Sequence, residues 1–521
     1  MPQLQSRFYL LLALRCLYWF GAESKTIMTD RQRYRLLEMI PGTLVWLTFL
    51  LAIILSLTKP LWAISLVIIY DLYWLFRVCY FVFYLLHSWR RYRRDMKRDW
   101  SGELRALPQE SDDYYHLIFL PTYKESFEVI NATIQRLSQI HYNPKKFIIV
   151  LAGEERDAAN FTAYADKVID RFGDAFKKIV VTLHPADLPD EIPGKGSNLN
   201  WAGQRTKEYV DAEGISYGKL IVSAFDIDTI VHPEYFSCLT YMYLTHPDPQ
   251  HASFQPAVLY NNNLWESPAL VRIAALGTTF WLMTELARPE RLFTFSSHSM
   301  SWQALVDVDF WEKRIVTEDS RIFLQCFLRY EGNYSVAPMY VPVSMDMVSA
   351  GSYRASLVEL YRQQRRWAWG AEHLPFMLWN FRKHPNIPLR KKVHYLWNLG
   401  EGMYTWATAP ILITALGQLP LLLSTGAVNN TVFAQNAPAV LSFLLQLAMV
   451  GILVSGILGM SLLPPRPAEV KAHQYLVMLL QWALLPFTLI LFGSIPAVDA
   501  QTRLLLGRPL GFNVTKKVRD V

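Results

Sequence analysis

The chain has 521 residues, of which 52% are apolar and only 18% charged, with a formal net charge of +7. The length allows more than one domain, and the composition is more apolar than that of an ordinary soluble protein. No nucleic-acid recognition motif accompanies the positive charge. The four cysteines, Cys16, Cys79, Cys238 and Cys326, show no CxxC spacing. They read as small packing residues, which excludes a zinc or disulfide framework.

Residues 1–41 open with the apolar stretch Phe8–Phe20. It carries Arg15 and lacks a small-residue cleavage site, so it reads as an amphipathic helix on a membrane surface rather than a signal peptide. Residues 42–89 follow as a helix hairpin. Its runs 42–58 and 61–86 are interrupted only by Lys59, Asp71 and Arg77, and each approaches the ~20 residues that cross a bilayer. Arg31, Arg33 and Arg35 precede it, and Arg90, Arg91, Arg93, Arg94, Lys97 and Arg98 follow. That bias predicts both ends inside, the Thr58-Lys59-Pro60 turn outside, and a multi-pass protein of a plasma or inner membrane with its middle domain cytoplasmic.

Residues 90–350 change to short apolar runs alternating with amphipathic stretches. Strands are predicted at His116–Leu120, Phe147–Leu151, Lys178–Leu183 and Lys219–Phe225, and helices at Ser126–Ile140, Ala158–Phe172 and Asn198–Tyr209. This alternation predicts a parallel α/β sheet of the nucleotide-binding kind. Ligands gather at the carboxyl ends of such strands. Polar motifs fall there: Pro121–Glu125 with Thr122, Tyr123 and Glu125, then Gly153-Glu154-Glu155, then Asp226-Ile227-Asp228.

Asp226 and Asp228, at i and i+2 beyond an apolar strand, can face one hard cation. Mg²⁺ or Mn²⁺ prefers oxygen ligands shared with substrate phosphates. An isolated DxD is more often an acidic turn, so the strand context carries the reading. Lys195-Gly196-Ser197-Asn198 before a helix suits a diphosphate, with Lys195 as counter-charge, or is simply a loop and cap. Thr317-Glu318-Asp319 opens the predicted helix Ser320–Tyr330, either as N-terminal capping residues or with Asp319 as a general base. Residues 351–398 read as interfacial helices. Within them Gln363, Arg366 and Trp367 share one helix face, where an indole can stack on a pyranose. With Arg362, Arg365 and Trp369 nearby, the same face also reads as a basic membrane-surface helix.

Residues 399–498 hold apolar runs at 402–425, 437–463 and 474–498. The uncharged loop Thr425–Asn436 should lie outside, and Arg466, Lys471 and the tail Lys516-Lys517-Arg519 inside. Three simple crossings would contradict that, so 474–498, with Pro486 and Pro496, is expected to be a re-entrant or interfacial pair of helices.

Taken together, the chain resembles the membrane-embedded family 2 glycosyltransferases, the group of cellulose, hyaluronan and chitin synthases. The likeness rests on Pro121–Glu125, Asp226–Asp228 (DxD), Thr317–Asp319 (TED) and Gln363–Trp367 (QxxRW), and covers most of the chain. Phe512-Asn513-Val514-Thr515-Lys516-Lys517, within residues 499–521, resembles the FxVTxK gating loop of the cellulose synthase branch. The resemblance implies a GT-A α/β domain inserted between transmembrane helices, an inverting reaction, and a nucleotide sugar donor, with UDP the expected carrier. It implies Asp319 as base, Asp228 on the metal, and Thr122, Tyr123, Glu125, Glu154, Lys195, Asp226 and Glu318 around the donor. Gln363, Arg366 and Trp367 would shape the acceptor end, and Phe512, Val514, Thr515 and Lys517 would close over the nucleotide.

The implied product is a growing β-glycan exported across the bilayer. A non-processive transferase acting on a lipid-linked or glycolipid acceptor is the alternative, and an inactive scaffold or transporter a third. Export or regulatory partners are unspecified, and without a further domain after Lys517 direct control by cyclic dinucleotides is not expected. The chain departs from the family at Gly153-Glu154-Glu155-Arg156, where adjacent aspartates are usual. It departs again at Phe295–Met300, which replaces a Phe-Cys-Gly-Thr-like turn.

Overall fold

The computed structural model of the chain describes residues 28–108, 111–423 and 431–511. The expected surface helix Phe8–Phe20, Cys16 and the gating-loop residues Phe512, Val514, Thr515 and Lys517 lie outside the described residues. The first long helix, Asp30–Thr58, starts well before residue 42 because Thr29 caps it. Thr29 Oγ1 accepts from Gln32 N while Gln32 Oε1 accepts from Thr29 N, a reciprocal capping box. Pro60 opens the second helix, Pro60–Asp95, in the position where its missing N–H costs nothing. Leu44, Leu47, Leu50 and Leu51 on the first and Phe76 and Phe83 on the second are exposed, the pattern of lipid-facing helices. Cys79 is exposed on the second helix, contrary to its reading as a packing residue, whereas Cys238 and Cys326 are buried as expected.

The following domain carries one eight-stranded sheet. Its strands are β1 (Tyr115–Pro121), β2 (Phe147–Glu154), β3 (Lys178–His184), β4 (Leu220–Ala224), β5 (Ile230–Val231), β6 (Ala252–Tyr260), β7 (Ser299–Ser301) and β8 (Ser335–Met345). The spatial order is β3-β2-β1-β4-β7-β6-β8-β5. Side chains alternate faces, so Ile118, Leu120 and Ile149 enter one apolar core while Leu117, Phe119 and Ile148 enter another.

The sheet is mixed rather than parallel. β1 to β4 pair in parallel as expected, but β7 runs antiparallel to both β4 and β6, and β5 antiparallel to β8. The chain arrives at β7 from Ser296, which bonds Asp226 at the carboxyl end of β4, so it can enter only by running backward. β7 gave no apolar-run signal because its polar groups are satisfied inside the sheet. Ser299 Oγ pairs with Ser223 Oγ at 2.8 Å and Ser301 Oγ donates to Gln250 O at 2.9 Å.

Helix Ala158–Phe172 matches its predicted span; Ser126–Ile140 shortens to Phe127–Ser138. Asn198–Tyr209 grows to Lys195–Ala212, which draws Lys195 and Gly196 into the first turn of the helix. The helix Glu318–Arg329 likewise takes in Glu318 and Asp319. Helix Ala269–Leu286 is apolar enough to be a membrane span but lies against the sheet, where its Thr279 Oγ1 accepts from Tyr260 N at 3.2 Å.

Among the described residues, five helices are long and apolar enough to cross a membrane, or up to six with the bent pair Leu389–Thr414 and Leu416–Leu423. That pair bends by 44°, so the sharp break lies there and not at Pro486. Residues Gln474–Leu506 instead form one long helical run with 3₁₀ and π stretches. At its start, Gln481 Oε1 accepts from Arg272 Nε at 2.9 Å and Trp482 stacks on Phe280 at 5.7 Å. Towards its end, Asp499 accepts from Tyr361 and Arg365, and the carbonyl of Leu504 accepts from Arg35. These partners lie on the helices Ala269–Leu286, Tyr353–Ala368 and Asp30–Thr58. A helical run of this length rises ~50 Å, more than the ~30 Å of a bilayer core, so it is long enough for a single crossing rather than the expected re-entrant pair.

Candidate active site

The loop after β1 is built by its own side chains. Thr122 N donates to Ala152 O at 2.8 Å, holding the loop on β2, and Thr122 Oγ1 and Tyr123 N both donate to Glu125. Lys124 adopts a positive φ of 65°, and its N–H donates to Asp157 Oδ2 at 2.9 Å. This turn presents the Tyr123 ring 4.5 Å from the Arg156 guanidinium. Arg156 is also ion-paired to Glu154, a buried carboxylate whose pKa burial raises and Arg156 opposes. Glu155 is occupied elsewhere, accepting from Ala186 N at 2.7 Å. Neither glutamate is the carboxylate beside the TED motif; that place belongs to Asp226.

Lys195 is the centre of the charged cluster. Its Nζ is 2.6 Å from Asp226 Oδ1 and 3.5 Å from Glu318 Oε1. Burial opposes the charge on Lys195, but Asp226, Glu318 and Asp319 outweigh it and hold the pKa above the usual lysine value. Gly196 permits the approach, since a Cβ there would stand 2.8 Å from Glu312 O and 3.2 Å from Glu318 Cβ. Glu318 is buried beneath Lys195 and does not line the cavity, so it steadies the lysine rather than meeting a ligand, contrary to its assignment from sequence. Asp226 Oδ2 accepts from Ser296 Oγ at 2.9 Å. Asp228 Oδ2 accepts from Asp346 N at 2.9 Å, and Asn262 braces that corner by donating to Asp228 O and Asp346 Oδ1.

Asp319 sits in the first helical turn, its Oδ1 accepting from Ser320 N at 2.9 Å and its carbonyl from Thr294 Oγ1 at 2.6 Å. Burial raises its pKa; Lys195 opposes this and Asp226 adds to it. Thr317 makes no capping bond; its hydroxyl is 3.5 Å from His373 Nε2. Arg321 Nε donates to His373 Nδ1 at 3.2 Å, which leaves Nε2–H to donate to Ser320 Oγ at 2.8 Å. Burial and Arg321 keep that histidine neutral, so it steadies the turn that carries Asp319.

Gln363, Arg366 and Trp367 project from the helix Tyr353–Ala368, which Ser352 caps. Trp367 packs 6.1 Å from the Tyr260 ring. Arg365, on the opposite side, anchors the helix to Asp499 at 2.9 Å. Sequence reasoning missed Ser296, Asp346, Asn262, His373 and Arg156. Ser296 and Arg156 carried a signal, each lying in a segment that departs from the family pattern.

One cavity of about 1750 Å³ gathers Thr122, Tyr123, Glu125, Glu154, Lys195, Asp226, Asp228, Asp319, Gln363, Arg366 and Trp367 on its wall. It continues past Trp367 between the long apolar helices, along Trp406, Ile413, Thr414, Leu444 and Met449.

The model of the family described as Glycosyl transferase family group 2 matches residues 221–496. The chain belongs to that family. Its mixed α/β domain set among apolar helices is a GT-A-like fold, and the chain is a family 2 glycosyltransferase. Among solved structures, the chain is similar to a mannosyltransferase, PcManGT, from Pyrobaculum calidifontis in complex with GDP-Man and Mn²⁺. The identity is 14% and the TM-score 0.39, covering 75% of this chain and 99% of that one. It is also similar to S. aureus TarS 1-349 in complex with UDP-GlcNAc, at 12% identity and TM-score 0.30, covering 66% and 90%. No match was found among curated proteins.

Among the described residues, no group of three or more His, Cys, Asp or Glu side chains is arranged to hold a metal. Asp228 on the cavity wall, with Asp226 two residues away, nonetheless fits an ion such as Mg²⁺ or Mn²⁺, which takes one or two carboxylates and completes its shell with substrate phosphates and water.

Proposed function

We propose that this family 2 glycosyltransferase is a processive, inverting hexosyltransferase. It takes its sugar from a nucleotide sugar, with UDP the expected carrier, adds it to a growing β-glycan and exports the product across the membrane. The observation that carries this reading is the continuity of the cavity. Asp319 and Trp367 stand on the same wall as Asp226 and Asp228, and the space runs on between the membrane-length helices.

In this reading Asp319 accepts the proton of an acceptor hydroxyl. The acceptor oxygen bonds the anomeric carbon as the bond to the diphosphate breaks, so configuration inverts. Lys195, held charged by its acidic neighbours, meets the negative charge that builds on the departing diphosphate. Asp228, with Asp226, would hold Mg²⁺ or Mn²⁺, whose chemistry is neutralisation of that same charge. Tyr123, Thr122, Glu125 and Glu154 bound the nucleoside end, and Trp367 with Gln363 and Arg366 holds the acceptor end. In this reading the catalytic domain is cytoplasmic in a cell membrane, which the arginines flanking the first two long helices support.

Purified enzyme in lipid discs, given a panel of UDP- and GDP-sugars with Mg²⁺ or Mn²⁺, tests the reading. High-molecular-weight product lost in Asp319→Asn supports it. A single sugar transferred to extractable lipid would replace it with the non-processive alternative.

A further inference from the structure

Part of the cavity wall is formed by the helices Pro60–Asp95, Leu389–Thr414 and Val432–Ser461 and the run Gln474–Leu506. Among the described residues, only two charged side chains of these helices line it, Asp71 and Arg77. A charge on a membrane helix is costly and persists where it faces a partner or a passage. Arg77 has its partner. Its Nη2 is 3.0 Å from Glu401 Oε1, and Tyr73 Oη donates to the same oxygen at 3.0 Å. Asp71 does not. It is 6% exposed, it stands on the cavity wall, and its Oδ1 is buried without a hydrogen-bond partner. It lies about 16 Å along the helix from Pro60, roughly halfway through a ~30 Å bilayer core.

The unmet oxygen is an acceptor, so whatever completes it must bring an O–H or N–H donor. Its neighbours on the wall favour a sugar ring. Trp74 lies one helical turn beyond Asp71, and Trp406 joins from the Leu389–Thr414 helix, two indoles suited to the apolar face of a pyranose. A hydrocarbon chain would leave the Asp71 oxygen unmet, and water alone would leave the indole faces uncovered. The wall also indicates what the sugar does not carry. A uronate would bring its carboxylate into this low-dielectric stretch, where Asp71 has the same sign and Arg77 already belongs to Glu401. The arginines of the cavity nearer the catalytic domain, Arg288 and Arg291, are held by Glu285 at 3.2 and 3.1 Å.

We infer that Asp71 binds the growing chain inside the membrane by accepting from its hydroxyl or amide N–H groups, and that this chain is built from neutral or N-acylated amino hexoses rather than uronates. The inference rests on the processive reading above, and adds to it a product class and a point of contact away from the residues that carry the transfer.

The test follows product length and composition with the full chain in lipid discs. Asp71→Leu should shorten the mean product by about threefold or more while transfer of the first sugar stays within about twofold of wild type. Asp71→Asn, which keeps an acceptor oxygen, should restore most of the length. Retained nucleotide-sugar binding reports the fold of each variant. In the second arm the wild-type chain receives UDP-glucuronate, alone and mixed with UDP-glucose or UDP-N-acetylglucosamine, and no uronate should enter the polymer. That arm needs no variant, so it stands whatever Asp71→Leu does to folding. Wild-type polymer length in Asp71→Leu, or uronate built into wild-type polymer, overturns the inference and leaves the processive reading intact. Single sugars on extractable lipid as the wild-type product would overturn that reading, and this inference with it.

Discussion

Lys195 Nζ lies 2.6 Å from Asp226 Oδ1 and reaches Glu318 at 3.5 Å, so one ammonium group joins the DxD and TED motifs. Removing it leaves buried carboxylates facing one another, and the departing diphosphate loses its counter-charge. Lys195→Met should lower kcat/KM by about 100-fold or more and raise the donor KM. Steady-state kinetics checks this, with a melting curve to confirm that the domain still folds. Wild-type kinetics in Lys195→Met would remove the lysine from the site.

The pH profile follows from the same cluster. Burial raises the Asp319 pKa, with Lys195 opposing and Asp226 adding. A general base works only when ionised, so activity is lost as pH falls through that raised value. The acid limb of kcat/KM should therefore lie above the ~3.9 of an unperturbed aspartate. Losing the opposing cation in Lys195→Met should move the limb further up. A limb at or below the ordinary aspartate value, or one that moves down in that variant, contradicts the assignment.

Asp228 has both a structural and a chemical duty. Asp228→Asn keeps the acceptor oxygen for Asp346 N while weakening any hold on a divalent cation. Activity should fall at least tenfold with little change in melting temperature, whereas Asp228→Ala should also cost about 1–3 kcal/mol of stability for the orphaned Asp346 N–H. Chelation should abolish transfer in the wild type, and Mg²⁺ or Mn²⁺ should restore it. Transfer that persists through chelation would rule out the metal role.

How much of this was legible in the sequence depended on the range of the interactions involved. β1, β2 and β4 stood out because each is a buried apolar run followed by a polar strand end; β3 reads as buried too, but lies at the sheet edge with Val181 and Leu183 exposed. β7 did not, because Ser299-Met300-Ser301 is satisfied by serine and carbonyl partners distant in sequence. The Ala269–Leu286 helix was hidden in a region that reads as soluble, since its apolar surface is spent on the sheet and on a neighbouring helix. Motif positions pointed to Asp226, Asp228, Asp319 and Trp367. They could not reveal that Glu318 supports Lys195 from below, or that Asp346 offers its N–H to Asp228, because such roles appear only when separate segments meet.

The Gln474–Leu506 run makes a topological prediction. Its start is bonded to Arg272 and its end to Arg35. Arg508→Cys and Lys516→Cys should react with a membrane-impermeant maleimide only from the side that exposes the catalytic domain. Labelling of either residue from the opposite side alone would mean that the run crosses the bilayer and that residues 512–517 cannot reach the nucleotide.

The most direct test of the central claim is where the product goes. Enzyme reconstituted into sealed vesicles with its catalytic domain outward should, when given its nucleotide sugar, accumulate polymer in the lumen. That polymer should resist an added glycanase until detergent opens the vesicles, because the cavity that begins at Asp319 and Trp367 continues between the apolar helices. Polymer fully digested in intact vesicles, or single sugars on extractable lipid, would contradict it.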